Sequence, residues 1–357
     1  MTRTALHYFR WAFLFTAAGL ALAVWLGWEM GGGAAGALSF FLIAAVLAAL
    51  EISLSFDNAI VNANRLRYMT PVWQKRFLTW GILIAVFGMR VIFPLAIVAI
   101  AARIGPVDAL VLAAREPAEY ARIIADAHLT IAAFGGTFLM MVALSYFIDE
   151  GKEIHWIKTL EERLRQCASV RGMEIAVVLT IVAGCAVALH GVERGRFLFA
   201  AILGLLTFLF VELFNRVLDQ HAETSRVLGH AGLGGFLYLE VLDASFSFDG
   251  VIGAFALTKN LFLIAIGLGI GAMYVRSMTI MLVEKKTLTH FRYLEHGAFY
   301  SILALAVIMF AQTMMHIPEL VTGMIGVVLI SVSLWSSVRY NRRNGFGAAG
   351  LRGSAAE

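Results

Sequence analysis

A ten-residue acidic motif occurs twice in this chain. Residues 51–60 read Glu-Ile-Ser-Leu-Ser-Phe-Asp-Asn-Ala-Ile, and residues 243–252 read Asp-Ala-Ser-Phe-Ser-Phe-Asp-Gly-Val-Ile. The offset of 192 residues pairs the acids as Glu51 with Asp243 and Asp57 with Asp249. Carboxylates beside hydroxyl and amide oxygens are typical ligands of hard cations. The repeat therefore predicts a cation site to which both copies contribute.

The acids lie in unusually apolar surroundings. Five of them fall within stretches long enough to span a membrane, namely Glu51, Asp57, Glu240, Asp243 and Asp249. The next apolar stretch after each motif contains one embedded arginine, Arg90 or Arg276. A charge at the centre of a bilayer costs roughly 2.5–3.5 kcal/mol on the insertion scale. We therefore expect these side chains to face the interior of a bundle, where they pair with cations or hold protons.

Composition places the motif in a membrane protein. Of the 357 residues, 60% are hydrophobic and 15% are charged, whereas a soluble domain has about 25% charged residues. The two cysteines exclude a disulfide framework, and no basic run is dense enough for a nucleic-acid patch. We expect an all-α polytopic membrane helix bundle that contacts the lipid bilayer and no nucleic acid.

Ten stretches have the roughly 20 apolar residues that a membrane span needs, and the short fifth and sixth leave the count at nine or ten helices. They are 11–28, 37–63, 77–101, 129–148, 174–190, 197–214, 233–258, 260–284, 297–315 and 320–338. Of the 28 Lys and Arg residues, 20 fall at one face and six at the other. This split predicts that both termini are cytoplasmic, and we expect the membrane to be a bacterial inner membrane. The first stretch could be a signal peptide, but its apolar run exceeds the usual signal core and favours an uncleaved helix.

The repeat divides the chain into five parts. They are an N-terminal membrane helix (1–36), a first half-repeat with its loops (37–173), linking helices (174–232), a second half-repeat with the last helix (233–338), and a disordered cytoplasmic tail (339–357). Five helices separate the starts of the two motif-bearing spans, so the copies must cross the membrane in opposite directions. Such inverted-topology repeats place the binding site of secondary transporters near the midplane, between the halves.

The motif acids converge on one ion only if their helix is interrupted. Six residues of an unbroken helix rotate by about 600°, which points Glu51 and Asp57 about 120° apart. We therefore expect discontinuous helices, with breaks near Ser53–Ser55 and Ser245–Ser247. Irregular backbone of this kind is tolerated in a membrane where it lines a buried site.

The available donors are hard oxygens. Besides the carboxylates they include the Asn58 amide, the Ser55 and Ser247 hydroxyls, and freed backbone carbonyls. These donors suit Mn²⁺, Mg²⁺ or Ca²⁺ rather than Cu⁺ or Zn²⁺, and five acids against two arginines disfavour an anionic cargo. Glu240 lies three residues before Asp243, on nearly the same helix face. Three roles are open for it: an additional ligand, a proton carrier or a pore-lining group.

These segments resemble the TerC family of membrane proteins. Residues 51–58 look like that family's first signature, an acid followed by a Ser-x-Asp-Asn element, and residues 243–249 look like its second. The resemblance covers residues 37–315 of a chain with longer termini and loops, and Gly250 stands where the family usually has serine. It implies a role in Mn²⁺ homeostasis, chiefly export, although the family is named for tellurium resistance. By position it implies a metal site formed by Glu51, Asp57, Asn58, Asp243 and Asp249.

The sequence leaves three functional hypotheses to compare. The favoured hypothesis is a secondary transporter, not an enzyme, that exports a divalent cation and uses Arg90 and Arg276 to replace the departing ion. The alternative is a structural or assembly partner of a membrane complex, whose acids and arginines form a static ion-pair network. An intramembrane aspartyl protease would need a Gly-x-Gly-Asp element, which the sequence lacks. The transporter and partner hypotheses are compatible with any oligomeric state.

Overall fold

The computed structural model describes residues 2–30, 32–77, 79–149, 154–167, 172–224, 232–285, 287–315 and 317–343. Within these ranges the chain forms helices and turns and no strand, which confirms the all-α prediction. In the described part of the chain, seven helices are long and apolar enough to cross a membrane, and two shorter apolar helices, Val86–Ile100 and Met173–Ala188, accompany them. The protein is a polytopic membrane helix bundle.

The first part of the chain is built from short and long helices. They are α1 (Thr2–Met30), α2 (Ala34–Leu54), α3 (Phe56–Leu66), α4 (Pro71–Phe77), α5 (Trp80–Leu83), a π-helical segment (Ile84–Ile92), α6 (Phe93–Ala102), α7 (Pro106–Arg115), α8 (Pro117–Phe147) and α9 (Lys158–Cys167). Two predicted spans, 37–63 and 77–101, consist of several helical pieces, whereas α8 is one helix of 31 residues. The first motif thus lies on a span interrupted at Ser55, whereas Arg90 lies on a continuous helical backbone that changes from α to π hydrogen bonding.

The second part of the chain has longer helices. They are α10 (Met173–Ala188), α11 (Gly191–Thr224), α12 (Leu233–Leu257), α13 (Leu261–Glu284), α14 (Thr287–His290), α15 (Leu294–Gln312) and α16 (Glu319–Arg343). The ten predicted spans overlap described helices, but α12, which corresponds to the predicted span 233–258, is not among the seven that are long and apolar enough to cross a membrane. The predicted tail begins too early, because α16 continues to Arg343, and residues 344–357 lie outside the described part of the chain.

Helices α2 and α13 pack side by side in the same direction. A Cβ atom placed on Gly267 would lie 2.5 Å from Leu47 Cβ, and one placed on Gly271 would collide with Glu51. Small residues allow helix backbones to approach this closely in a membrane. The two glycines therefore bring α13 against the part of α2 that carries Glu51.

The two motif copies run in opposite directions. Near one end, Asn62 of α3 donates a hydrogen bond to Asp243 of α12. Further along, Glu51 of α2 lies beside Gly250 of α12. Residue numbers rise along one element as they fall along the other, which is the antiparallel arrangement predicted for an inverted-topology repeat.

The bundle has two ends that matter for the site. At the first, which we call the basic end, α3 finishes at Leu66, α12 begins at Leu233 and α13 finishes at Glu284. Arg65 and Lys75 lie at this end. At the opposite end α2 begins, α12 finishes and α13 begins. Glu51 lies between the two ends.

Candidate functional site

A kink between α2 and α3 positions the first motif. Ser55, with φ −96° and ψ 16°, separates the two helices. Its backbone N donates to Glu51 O at 3.0 Å, and Ala59 N donates to Ser55 O at 3.2 Å. The interruption predicted near Ser53–Ser55 is present, and it bends the chain while these backbone hydrogen bonds remain.

The second motif lies on an unbroken helix. Because α12 is continuous from Leu233 to Leu257, the break predicted near Ser245–Ser247 is wrong. The Ser245 hydroxyl donates to Val241 O at 2.9 Å, one turn earlier in the same helix. A serine can satisfy its hydroxyl in this way without opening the helix.

Glu51 and Arg90 form a buried ion pair at the centre of the site. Arg90 Nη2 donates to Glu51 Oε1 at 2.5 Å, and the two residues are 5% and 4% exposed. Arg90 Nε donates to Leu268 O at 2.9 Å, and Ser55 Oγ donates to Glu51 Oε1 at 3.0 Å. Such additional hydrogen bonds help to offset the cost of removing both charges from water. Arg90 itself lies on the π-helical segment (Ile84–Ile92), an irregularity often found at functional sites.

One cavity, which we call the arginine cavity, contains both embedded arginines. Its polar lining comprises Asn58, Asn62, Arg90, Asp243, Ser247 and Arg276, together with Glu51 and Ser55. Asp243 accepts hydrogen bonds from the side chains of Asn62, at 2.9 Å, and Asn58. The cavity has a volume of about 40 Å³, enough for roughly three water molecules.

Several oxygens in the arginine cavity are poised to accept a ligand. Asn58 Oδ1, Asn62 Oδ1 and Ser247 Oγ are buried and have no hydrogen-bond partner among the described residues. Buried polar atoms normally have a partner in the protein or an ordered water molecule. These oxygens are therefore available to water or to a cation.

A second cavity, which we call the hydroxyl cavity, lies on the other side of Glu51. Its lining comprises Glu51, Ser55, Asp57, Phe246, Gly250, Ser301, Leu305, Thr322, Gly323 and Gly326. Ser301 Oγ donates to Asp57 Oδ2 at 2.6 Å, and Asn58 N donates to Asp57 Oδ1 at 2.8 Å. Among the described residues, two carboxylates and no cationic side chain line this cavity. Its electrostatic character favours a cation.

Glu51 joins the two cavities. Glu51, Ser55 and Phe246 line both of them. Glu51 Oε1 binds Arg90, whereas a Cβ atom placed on Gly250 would lie 3.0 Å from Oε2. Oε1 thus contacts an arginine of the arginine cavity, and Oε2 lies close to a glycine of the hydroxyl cavity.

The cavities extend toward different ends of the bundle. The arginine cavity reaches residues near the basic ends of α3 and α13, such as Asn62 and Thr279. The hydroxyl cavity reaches Thr322, near the opposite end of α16. Glu51 therefore lies where a path through the bundle would pass from one cavity to the other.

The structure divides the predicted ligands between the cavities. Asn58 and Asp243 line the arginine cavity, Asp57 lines the hydroxyl cavity, and Glu51 lines both. Among the described residues, no group of three or more His, Cys, Asp or Glu side chains is close enough to hold one metal ion. The side chain of Asp249 lies outside the described part of the chain.

Glu240 lies next to the arginine cavity rather than on its wall. It is 8% exposed, and within the described part of the chain neither of its carboxylate oxygens has a hydrogen-bond partner. A Cβ atom placed on Gly81, which lines the cavity, would lie 3.2 Å from Glu240 Oε1. Glu240 is thus adjacent to the site, and its role as an additional ligand or proton carrier stays a prediction.

Three site residues do not emerge from the motif. Asn62 holds Asp243, Ser301 holds Asp57, and Thr322 lines the hydroxyl cavity. Asn62 could have been identified from the sequence, because it follows Asn58 by four residues and therefore lies on the same helix face. Ser301 and Thr322 lie on α15 and α16, where no repeated motif marks them.

A second buried polar cluster lies outside the cavities. Glu161 of α9 is fully buried and accepts hydrogen bonds from Tyr300 Oη at 3.1 Å and from the backbone N of Trp156 and Ile157. Tyr300 directly precedes Ser301 on α15. Glu161 therefore connects α9 to α15, the helix whose Ser301 donates a hydrogen bond to Asp57.

The fold and the site define a class of protein. It is an integral membrane protein whose antiparallel, acid-bearing helices enclose buried polar cavities. The chain belongs to the family described as "Protein of unknown function (DUF475)", whose model matches residues 56–344. This match does not assign the chain to the TerC family, so that resemblance rests on the motifs. No curated protein and no solved structure matches the chain.

Proposed function

We propose that the protein is a secondary transporter that carries a divalent cation, above all Mn²⁺, across the membrane. The observation that carries this proposal is the position of Glu51. Glu51 lines both cavities: one of its carboxylate oxygens contacts Arg90 of the arginine cavity, and the other lies close to Gly250 of the hydroxyl cavity. An ion that passes between the cavities can keep Glu51 as a ligand throughout.

Each cavity supplies its own further ligands. The arginine cavity offers the Asp243 carboxylate with oxygens of Asn58, Asn62 and Ser247. The hydroxyl cavity offers the Asp57 carboxylate with the hydroxyls of Ser301 and Thr322. Both sets consist of hard oxygen donors, which suit Mn²⁺, Mg²⁺ and Ca²⁺ better than soft ions.

In the metal-free protein, Arg90 occupies the position beside Glu51 that a bound cation would take. Its guanidinium balances the charge of Glu51 through Nη2. For a cation to bind, Arg90 must release that oxygen, and it can return when the cation leaves. We expect Arg276, which lines the same cavity as Asp243, to balance the charge of Asp243 when no cation is bound.

We propose export as the direction of transport, on the basis of the expected orientation of the two cavities. If the basic end faces the cytoplasm, as the positive-inside rule predicts, the arginine cavity receives the ion from the cytoplasm. The hydroxyl cavity then releases it on the other side, which is export.

Flux through purified protein tests the proposal. Full-length protein is reconstituted in liposomes that contain a dye quenched by Mn²⁺, and Mn²⁺ is added outside. We expect quenching with the wild type and with Asp126→Asn, which changes an exposed carboxylate outside the site. We expect almost none with Asp57→Asn or Asp243→Asn. Wild-type flux in both site variants would refute the site, and a wild type without flux would favour the assembly-partner hypothesis.

Cellular metal content tests the direction. Expression of the wild type in bacteria grown with added Mn²⁺ should lower cellular Mn²⁺, and Asp57→Asn should not. A rise in cellular Mn²⁺ with the wild type would reverse the proposed direction.

A further inference from the structure

Two oxygens of the hydroxyl cavity come from helices outside the repeated motifs. Ser301 of α15 is 3% exposed and donates to Asp57 Oδ2 at 2.6 Å. Thr322 of α16 has a buried Oγ1 for which the described residues provide no hydrogen-bond partner. Both residues line the cavity. A buried hydroxyl without a partner, in a cavity that is also lined by two carboxylates, is an available ligand.

The wall around these hydroxyls is left open by glycines. Gly323 and Gly326 of α16 line the cavity. A Cβ atom placed on Gly326 would lie 2.8 Å from Ser301 Oγ and 3.7 Å from Asp57 Oδ2. Any larger residue at position 326 would therefore occupy the space in front of these two oxygens.

The donor inventory of this cavity is restricted to oxygen. It comprises the carboxylates of Glu51 and Asp57 and the hydroxyls of Ser55, Ser301 and Thr322. No sulfur or nitrogen side chain is present among its described lining residues. Soft cations gain most from sulfur and imidazole ligands, whereas hard cations bind well to oxygen alone.

We propose that Ser301 and Thr322 are cation ligands that make the hydroxyl cavity select hard divalent cations over soft ones. This assignment rests on the proposed function, because it names the residues that set the cargo class of that site. It also gives α15 and α16 a direct role in binding, although neither helix carries the acidic motif.

The test replaces one hydroxyl by a thiol and measures metal preference. Purified full-length Ser301→Cys is titrated calorimetrically with Mn²⁺ and, separately, with Cd²⁺. A sulfur ligand should raise the ratio of Cd²⁺ to Mn²⁺ affinity by about tenfold or more. The matched control is Ser277→Cys, a buried serine that bonds Met273 O within its own helix and lines neither cavity.

Variants of Thr322 provide an independent test, which remains available if Ser301→Cys does not fold. Thr322→Val keeps the shape but removes the oxygen, whereas Thr322→Ser keeps the oxygen. We expect Thr322→Val to bind Mn²⁺ about tenfold more weakly and Thr322→Ser to bind it like the wild type.

The outcomes separate this inference from the proposed function. A wild type that binds Mn²⁺, with a metal preference equal in Ser301→Cys and Ser277→Cys, would overturn the ligand assignment of Ser301. Equal Mn²⁺ affinity in Thr322→Val and Thr322→Ser would overturn that of Thr322. A wild type that binds no hard divalent cation would overturn the proposed function, and this inference with it.

Discussion

Arg90 Nη2 lies 2.5 Å from Glu51 Oε1, and both side chains are removed from solvent in the interior of a membrane bundle. This pair joins the first acid of the motif to an arginine 39 residues later in the chain. It accounts for the embedded arginine as the partner of a specific carboxylate. It also identifies the contact that a bound cation would have to replace.

Removal of the arginine alone should destabilise the protein. Loss of one partner from a buried ion pair typically costs about 3–5 kcal/mol, because the other charge is left uncompensated. We expect Arg90→Gln to lower the melting temperature in detergent clearly, and Arg90→Gln with Glu51→Gln to recover much of the loss. A double variant no more stable than the single one would contradict this account of the pair.

The close contact between α13 and Glu51 predicts a sensitive glycine. A Cβ atom on Gly271 would collide with Glu51 Cβ and Cγ, and overpacking of this kind costs about 1–3 kcal/mol. Gly271→Ala should therefore melt earlier and bind Mn²⁺ more weakly. Gly184→Ala is the matched control, since a Cβ atom there would meet nothing within 4 Å. Equal melting temperatures for the two variants would show that the bundle accommodates the contact.

Most of the fold could be predicted because apolar length decides where a chain spans a membrane. The opposite directions of the two motifs followed from the number of helices between them. Local sequence did not predict correctly, however, which of the two motif-bearing helices is interrupted. Both copies contain Ser-x-Ser-Phe-Asp, yet only the first is kinked, at Ser55, while Ser245 bonds its own helix.

The charged residues of the site could be predicted from the sequence, whereas its neutral residues were harder to predict. Buried charges are rare in a membrane, so Glu51, Asp57 and Arg90 were conspicuous in the sequence. Hydroxyls are common in helices and usually bond the backbone one turn earlier. Ser301 became recognisable only when tertiary packing placed it against Asp57.

The glycine beside Ser301 should control Mn²⁺ affinity. In Gly326→Ala, the added carbon would lie 2.8 Å from Ser301 Oγ and displace it from Asp57. The same carbon would lie 3.7 Å from Asp57 Oδ2 and fill the space in which both oxygens would face a cation, so we expect Mn²⁺ affinity by calorimetry to fall about tenfold. Gly195→Ala, at an open position on α11, should leave it unchanged. Equal affinities in the two variants would contradict the predicted crowding.

The buried carboxylate of α9 should hold that helix on the bundle. Glu161→Ala removes the acceptor for Tyr300 Oη and for two backbone N–H groups, and each unsatisfied donor costs about 1–3 kcal/mol. We expect trypsin to cleave faster after Lys158 and Arg163 in this variant. The control is Glu162→Ala, which changes an exposed acid on the same helix. Identical cleavage rates would mean that α9 is held by its apolar contacts instead.

A carboxylate in place of Asn62 should strengthen the response to a cation. Asn62 Nδ2 now donates to Asp243 Oδ1 at 2.9 Å, so Asn62→Asp would set two like charges against each other in the metal-free protein. A divalent cation between them would turn this repulsion into coordination, and binding to the folded state raises stability by mass action. We therefore expect Asn62→Asp to melt earlier than the wild type without metal and to gain more from added Mn²⁺. Asn341→Asp, which adds the same charge at a partly exposed position that lines neither cavity, should show the wild-type gain. If Mn²⁺ raised the melting temperature of both variants equally, the arginine cavity would not be part of the cation path.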